Sequence, residues 1–373
     1  TGGNLALEGF TAPKLLWLRQ NEPNNYARLS TLLLAKDYVR YRLTGEIATE
    51  LSDAAGTMLL DIRNLCWSAE ALQMLSLSNE ILPRIVGSTE ISGQVTKSVA
   101  HMLGLPEGVP VIGGGADNAA GAVGSGVVRP GVVQSSIGTS GVILMPTEKP
   151  GFDSKMRLHT FCHSVVGQWY MMGVILSAGN ALKWMRDILS PEGNYSYELL
   201  IDEAKKIPPG SEGLLFLPYL AGERTPHNDS SARGVFFGLH LGHNRAHMIR
   251  SVMEGVCFAL RDSLDLMRPF IGGEPKIRAI GGGARSSLWC QMQADVFDSP
   301  VVTLTENNGP AYGAAAMAAV GAGVYGNIGD IMDQWISTSL ERDPDPTNTR
   351  KYNELHEQYV QLYRSVKPRF DQS

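Results

Sequence analysis

The 373-residue sequence lacks the short motifs that mark several large protein classes. No glycine is followed by lysine, which excludes a Walker A phosphate loop. HRD and DFG are both absent, which excludes a protein kinase. The four cysteines form neither a CxxC pair nor a metal-type spacing with histidine, so the sequence predicts no protein metal site.

Excess positive charge and long apolar runs are absent as well. Acidic residues number 37 and basic residues 32, giving a formal net charge of −5, which argues against a nucleic-acid partner or a membrane surface. The most apolar stretch, residues 313–326, is too short for a convincing membrane span. Hydrophobic content of 43% excludes long disorder, and scattered cysteines are typical of a reducing compartment, so we expect a cytoplasmic protein.

Glycine is abundant, with 41 residues, and three clusters stand out at 113–115, 138–141 and 281–283. Each follows a short apolar segment that predicts a strand, and ligands of open α/β folds bind at the carboxyl ends of strands. Glycine lets the backbone approach a ligand closely, so the three clusters together favour a phosphate ligand, although any one of them could be a tight turn. The clusters at 113–115 and 281–283 do not continue as GxGxxG, which disfavours a nicotinamide-dependent dehydrogenase.

The hydrophobic pattern predicts an α/β protein with a mixed sheet. Helices are predicted over 11–21, 25–44 and 247–267, and hairpins over 132–137 with 142–145 and over 160–166 with 169–176. The change from an Ala/Gly-rich helix to hairpins near residue 126 predicts a first domain at 1–125 and a second at 126–373.

Several polar residues near these clusters have two interpretations. Asp117 follows the first glycine cluster, where a carboxylate could accept a proton from a substrate hydroxyl or cap the next helix. Thr139 and Ser140 could hold a phosphate or close a hairpin. The charged loop at 222–227 could be functional or a solvated connection.

Three segments of the chain resemble the FGGY carbohydrate kinases, which are ATP-dependent sugar kinases of the actin-like superfamily. They are GFTAPKLLWLRQN at 9–21, LPYLAGERTPHN at 217–228, and GVFFGL at 234–239 followed by His247, Met248 and residues 251–254. Together with residues 113–118 and 280–285, they look most like the xylulose kinases. This resemblance implies an actin-like (ribonuclease H-like) ATPase fold with two domains around a cleft.

The resemblance also implies a role for individual residues. Asp117 matches the catalytic base and Asn118 a sugar-binding position. ATP-binding positions are matched by Gly138, Thr139, Gly179, Lys183, Gly283, Ala284 and Ser287. The implied reaction is ATP-dependent phosphorylation of D-xylulose to D-xylulose 5-phosphate, with Mg²⁺ accompanying ATP. Catalysis of phosphoryl transfer depends mainly on positioning the reactants and stabilising charge.

The resemblance starts late in the family pattern, since the first signature begins at Gly9 and the chain begins at Thr1. We therefore expect an incomplete first domain that lacks one phosphate loop. The alternatives are a kinase for ribulose, gluconate or glycerol, and a nucleotide-binding fragment without activity. Relatives of this type are often homodimers, but nothing in the sequence identifies an interface.

Overall fold

The computed structural model describes residues 3–190, 192–193, 195–306 and 309–370. The first third of the chain is mainly helical and carries short two-stranded sheets. Its helices are α1 (Thr11–Asn21), α2 (Pro23–Tyr26), α3 (Ala35–Thr44), α4 (Leu51–Ala55), α5 (Ala69–Leu75), α6 (Lys97–Leu103) and α7 (Asp117–Gly124). Its strands are β1 (Ala48–Glu50), β2 (Leu60–Asp61), β3 (Cys66–Trp67), β4 (Arg84–Val86), β5 (Ile91–Gln94) and β6 (Pro110–Ile112).

The rest of the chain builds a larger mixed sheet with helices packed on it. Its strands are β7 (Val132–Ile137), β8 (Gly141–Thr147), β9 (His159–Cys162), β10 (Trp169–Ile175), β11 (Leu215–Leu217), β12 (Val235–Phe237), β13 (Lys276–Gly281), β14 (Val301–Leu304) and β15 (Thr338–Arg342). Its helices are α8 (Gly179–Leu189), α9 (Tyr197–Ala204), α10 (Arg245–Met267), α11 (Ser287–Phe297), α12 (Pro310–Gly321), α13 (Ile328–Trp335) and α14 (Pro346–Phe370).

The strand order of the large sheet is β15-β14-β13-β7-β8-β10-β9 in the described part of the chain. Strand β13 runs parallel to β7 and to β14, whereas β7, β8, β10 and β9 pair in antiparallel fashion. This arrangement confirms the predicted mixed sheet and both predicted hairpins. It also brings the carboxyl ends of β7 and β13 to one edge, since parallel neighbours end together.

Both faces of the large sheet are covered, because alternate residues of a strand point to opposite faces. On β8, Ile143 and Met145 pack in a cluster with α10, whereas Leu144 packs in another with residues of α4 and α7. Helix α10 begins at an N-cap by Asn244, whose side chain accepts from the Ala246 amide. Its predicted apolar face is fully buried: Ile249, Val252, Val256, Leu260, Leu264 and Met267.

The predicted helix over 25–44 is wrong in its first half. The chain leaves helix α2 at Tyr26 and enters α3 only at Ala35. Between them, Leu29 and Leu32 pack against a small apolar cluster around Leu59, and the Leu32 amide donates to the Ile81 carbonyl at 2.7 Å. The contacts of these partly buried leucines in a non-helical segment outweigh their helical spacing.

Candidate functional site

A cavity of about 410 Å³ lies where β7, α8 and the segment after β13 meet. Its lining brings together two of the three glycine clusters that the sequence analysis singled out. The described residues around it are Ile137, Gly138, Thr139, Gly179, Asn180, Leu182, Lys183, Tyr197, Glu198, Ile201, Gly282, Gly283, Arg285, Ser286 and Trp289. Five of the seven predicted ATP-binding residues are among them.

Close backbone contact explains why glycine is needed at this junction. A Cβ atom on Gly179 would lie 2.5 Å from the Gly138 carbonyl oxygen, and one on Gly283 would lie 2.6 Å from the Ile137 Cβ. Gly281 has a φ of +78° and would place a Cβ 2.7 Å from the Ile137 oxygen. Larger residues would push the three segments apart, so the glycines set the shape of the cavity.

Backbone hydrogen bonds fix the turn between β7 and β8 against the start of α8. The Gly179 amide donates to the Gly138 carbonyl at 2.8 Å, and the Ala178 and Asn180 amides donate to the Thr139 carbonyl at 3.0 and 3.1 Å. Within the turn, the Gly138 amide donates to the Ser140 carbonyl at 3.0 Å. The hairpin is therefore closed by its own bonds, and it also forms one wall of the cavity.

The cavity combines two cations with two aromatic side chains, one of them Trp289 of α11, and one carboxylate. Lys183 of α8 lies 3.4 Å from Asp187 in an exposed ion pair, and Arg285 ends the short 3-10 turn Gly282–Arg285 before α11. Tyr197 and Glu198 come from α9. None of Arg285, Tyr197 and Glu198 was predicted from the sequence as a site residue, although Arg285 ends the segment at 280–285 that carries the family resemblance.

Two predicted ATP-binding residues lie outside this cavity. Ala284 lines a neighbouring cavity of about 270 Å³, to which Arg285 also contributes. Ser287 is the first residue of α11, and its hydroxyl accepts from Arg342 at 2.8 Å. Its neighbour Ser286 caps α11 by accepting from the Trp289 amide at 3.2 Å and lines the main cavity.

Asp117 begins helix α7, at the end of the first glycine cluster, and its side chain is exposed. Its Oδ1 accepts from the backbone amide of Asn118 at 2.7 Å and from the Asn118 side-chain amide at 3.1 Å. The N-cap position itself is Ala116, so Asp117 is not the N-cap residue. Oδ2 of Asp117 has no hydrogen-bond partner among the residues that the structure describes.

Helix α7 is held firmly against the second half of the chain. A Cβ on Gly313 of α12 would collide with the Ala120 carbonyl oxygen, and one on Gly124 would collide with the Gly309 carbonyl oxygen. The backbones of α7 and α12 therefore approach each other through small residues. This packing joins the element that carries Asp117 to the half of the chain that forms the cavity.

The loop at 222–227 is not a solvated connection, because Glu223 and Thr225 are buried. The Thr225 amide donates to the Val174 carbonyl at 3.0 Å, and the Val174 amide donates to the Thr225 hydroxyl at 3.1 Å, so the loop is held beside β10. Glu223 Oε1 accepts from the amides of Leu176 and Arg224 at 3.0 and 2.7 Å. Burial raises the pKa of the Glu223 carboxyl to about 8.

Two models of protein families match most of the chain. The model of the N-terminal domain of the FGGY family of carbohydrate kinases matches residues 1–124, and that of the C-terminal domain matches residues 133–322. The chain belongs to the FGGY family of carbohydrate kinases. Its actin-like two-domain fold is shared with solved FGGY kinases, as the structural comparisons show.

Individual FGGY kinases are similar over nearly the whole chain. A xylulose kinase of Bacillus subtilis (strain 168) is 43% identical over 364 residues, which are 98% of this chain and 72% of that protein. The crystal structure of xylulose kinase from Rhodospirillum rubrum has a TM-score of 0.92 at 31% identity, over 99% of this chain and 75% of that one. The gluconate kinase from Lactobacillus acidophilus has the same TM-score at 27% identity, over 98% and 74%.

Two further findings concern metals and membranes. No three His, Cys, Asp or Glu side chains converge as a metal site within the ranges that the structure describes. Among the cavity-lining residues described, Glu198 supplies the one carboxylate, so these residues do not form a magnesium site by themselves. None of the helices described combines the length and the apolar character needed to cross a bilayer.

Proposed function

We propose that this FGGY kinase transfers the γ-phosphoryl group of ATP to D-xylulose and forms D-xylulose 5-phosphate. The observation that supports it most strongly is the 43% identity with a xylulose kinase across 98% of the chain. The same fold also serves the gluconate kinase, so fold alone does not select the sugar.

We propose that ATP occupies the cavity between β7, α8 and α11. Gly138, Thr139, Gly179 and Gly283 would supply close backbone contacts, and the cations Lys183 and Arg285 would face phosphate oxygens. Ala284 and Ser287, on the edge of this site, would act by fixing the loop after β13. Mg²⁺ would enter bound to the phosphates of ATP, as part of the substrate, since the cavity offers it no set of protein ligands.

We propose that Asp117 is the general base and that Asn118 holds the sugar. The exposed carboxylate of Asp117 would accept the proton of the sugar hydroxyl while that oxygen attacks the γ-phosphorus. The bond between Asn118 and Asp117 Oδ1 fixes the orientation of the carboxylate and leaves Oδ2 for the proton. The two-domain division at residue 126 would place this base and the ATP cavity on opposite sides of the cleft.

A sugar panel on the complete protein tests the assignment. D-xylulose, D-ribulose, D-gluconate and glycerol are each supplied with MgATP, and release of ADP is followed. We expect the highest kcat/KM with D-xylulose. An equal or higher kcat/KM with another member of the panel would contradict the choice of sugar.

A further inference from the structure

Lys36, at the start of α3, stands among three carboxylates of the first third of the chain. Its Nζ lies 2.7 Å from Asp37 Oδ1, 3.5 Å from Asp53 Oδ2 and 4.0 Å from Glu50 Oε1. The side chains of Asp37 and Glu50 are fully buried. One ammonium group therefore faces three acidic groups, and removing it would take away the cation that pairs with all three.

Lys36 has a fourth contact, and this one reaches the loop before Asp117. Its Nζ donates to the carbonyl oxygen of Gly113 at 3.1 Å. A Cβ on Gly114, which has a φ of +83°, would lie 3.5 Å from the Lys36 Cδ, so the side chain runs along this loop. The ammonium group thus connects the acidic cluster to the first glycine cluster.

Glu50 organises a second set of anchors for the same loop. Its carboxylate accepts from the Ser52 hydroxyl at 2.6 Å and from the Ser88 hydroxyl at 3.0 Å. The Ser52 hydroxyl oxygen in turn accepts from the Ala116 amide at 2.9 Å, and the Ser88 carbonyl accepts from the Gly114 amide at 2.9 Å.

Residues 113, 114 and 116 are thus held by hydrogen bonds to Lys36, Ser88 and Ser52, respectively. The hydroxyls of Ser52 and Ser88 are in turn bonded to Glu50. Asp117 follows immediately, and the only hydrogen bonds of its side chain within the described part of the chain are those with Asn118. The position of its carboxylate therefore depends on how rigidly the loop before it is held.

We propose that Lys36 is a positioning residue for Asp117, acting through the loop at 113–116 in concert with Glu50 and Ser52. This inference rests on the proposed role of Asp117. Asp117 also lies near enough to Glu50 and Asp53 for all three carboxylates to act on one group, the buried Tyr170 hydroxyl. Burial is the main cause that raises the pKa of this hydroxyl, and the negative charges of Asp117, Glu50 and Asp53 raise it further. Burial likewise raises the pKa of Asp53 to about 6, against the opposing attraction of Lys36.

The test compares Lys36→Met, Lys36→Arg and Ser52→Ala in the complete protein, with Lys97→Met as the matched control on the exposed first turn of α6. Amide hydrogen exchange at Gly114 and Ala116 reports loop anchoring without any substrate. Turnover of D-xylulose and the Kd for ATP are measured alongside, and thermal unfolding identifies any variant that does not fold.

We expect the amide hydrogens of Gly114 and Ala116 to exchange faster in Lys36→Met and Ser52→Ala than in the wild type. Both substitutions should lower kcat by about 10- to 100-fold and leave the Kd for ATP unchanged. Lys36→Arg, which keeps the charge and the donors, should restore most of kcat, and Lys97→Met should match the wild type. Unchanged exchange in both Lys36→Met and Ser52→Ala would overturn the inference, as would faster exchange with unchanged kcat. Ser52→Ala decides the matter if Lys36→Met fails to fold.

The same experiment separates this inference from the proposed function. A wild-type protein that releases no ADP with any sugar would contradict the kinase assignment, whereas the exchange data would still show whether the cluster holds the loop.

Discussion

At the scale of single residues, burial determines the protonation state of the Glu223 carboxyl. The carboxyl is 2% exposed, and its Oε2 has no hydrogen-bond partner among the described residues. Its folded-state pKa of about 8 lies above its ordinary value of 4.5. The folded protein therefore keeps the proton in a range where the unfolded chain has lost it, and stability falls as pH rises from about 4.5 to 8.

Glu223→Gln should remove this pH dependence, because glutamine stays neutral in both states. Between pH 6 and 8 we expect the wild type to lose up to about 1.4 kcal/mol per pH unit relative to the variant. Urea unfolding at pH 6, 7 and 8 measures the difference. Parallel stability curves for the two proteins would show that Glu223 is ionised when folded.

Gly283→Val should weaken ATP binding, because its side chain would meet Ile137 at the wall of the cavity. Overpacking of this kind typically costs about 1–3 kcal/mol, which corresponds to a rise in the Kd of about 5- to 150-fold. Gly272→Val is the matched control, since a Cβ there has no neighbour within 4 Å. Calorimetry measures the Kd for ATP of both variants. Equal Kd values would contradict the assignment of Gly283 to the ATP site.

Part of this site was predictable from the sequence. Glycine clusters after apolar runs marked the cavity because close backbone approach excludes other residues, and the family resemblance added Gly179 and Lys183. The sequence could not show that Tyr197 and Glu198 belong to the cavity, since only the packing of α9 brings them there. Ser287 was predicted from the motif, whereas its neighbour Ser286 lines the cavity.

At the scale of elements, the buried Glu254 joins three parts of the second half of the chain. Its carboxylate accepts from Arg250 of the same helix at 2.7 Å, from the Gly210 amide at 2.8 Å, from the Ser211 hydroxyl at 2.8 Å and from Tyr352 of α14 at 2.8 Å. Glu254 ends the segment of the family resemblance that begins at Gly234, and its contacts give that position a structural explanation.

Glu254→Ala should destabilise the protein by about 3–5 kcal/mol, because it leaves Arg250 buried without a counter-charge. Asp202→Ala, which breaks the exposed 2.9 Å pair with Lys205, is the control and should change stability little. Denaturant unfolding measures both. A Glu254→Ala protein as stable as the control would show that α10 and α14 are held together by apolar packing alone.

Element prediction succeeded where burial follows one regular period. Helix α10 was predicted because its apolar residues recur along one face, and β7 and β8 because a polar turn separates two apolar runs. The prediction for 27–34 was wrong because Leu29 and Leu32 are spaced as in a helix but pack, partly buried, against the Leu59 cluster in a non-helical segment. Tertiary contacts of that kind leave no local signal.

At the scale of the whole molecule, the proposed base and the proposed ATP cavity come from different halves of the chain. Helix α7 carries Asp117 and packs closely on α12, and residues of α4 and α7 cover one face of the large sheet through Leu144. The FGGY models match these two halves separately, at 1–124 and 133–322. Such an arrangement suits phosphoryl transfer, in which a closing cleft excludes water from ATP.

The central claim is that Asp117 removes the proton of the sugar hydroxyl while ATP is held elsewhere. The most direct measurement is D-xylulose-dependent ADP release by the complete protein and its Asp117→Asn variant, with the Kd for ATP determined for both. The account predicts that kcat falls by about 10²- to 10⁴-fold, the usual contribution of a general base, while the Kd for ATP is unchanged. Near-normal turnover by Asp117→Asn would contradict it.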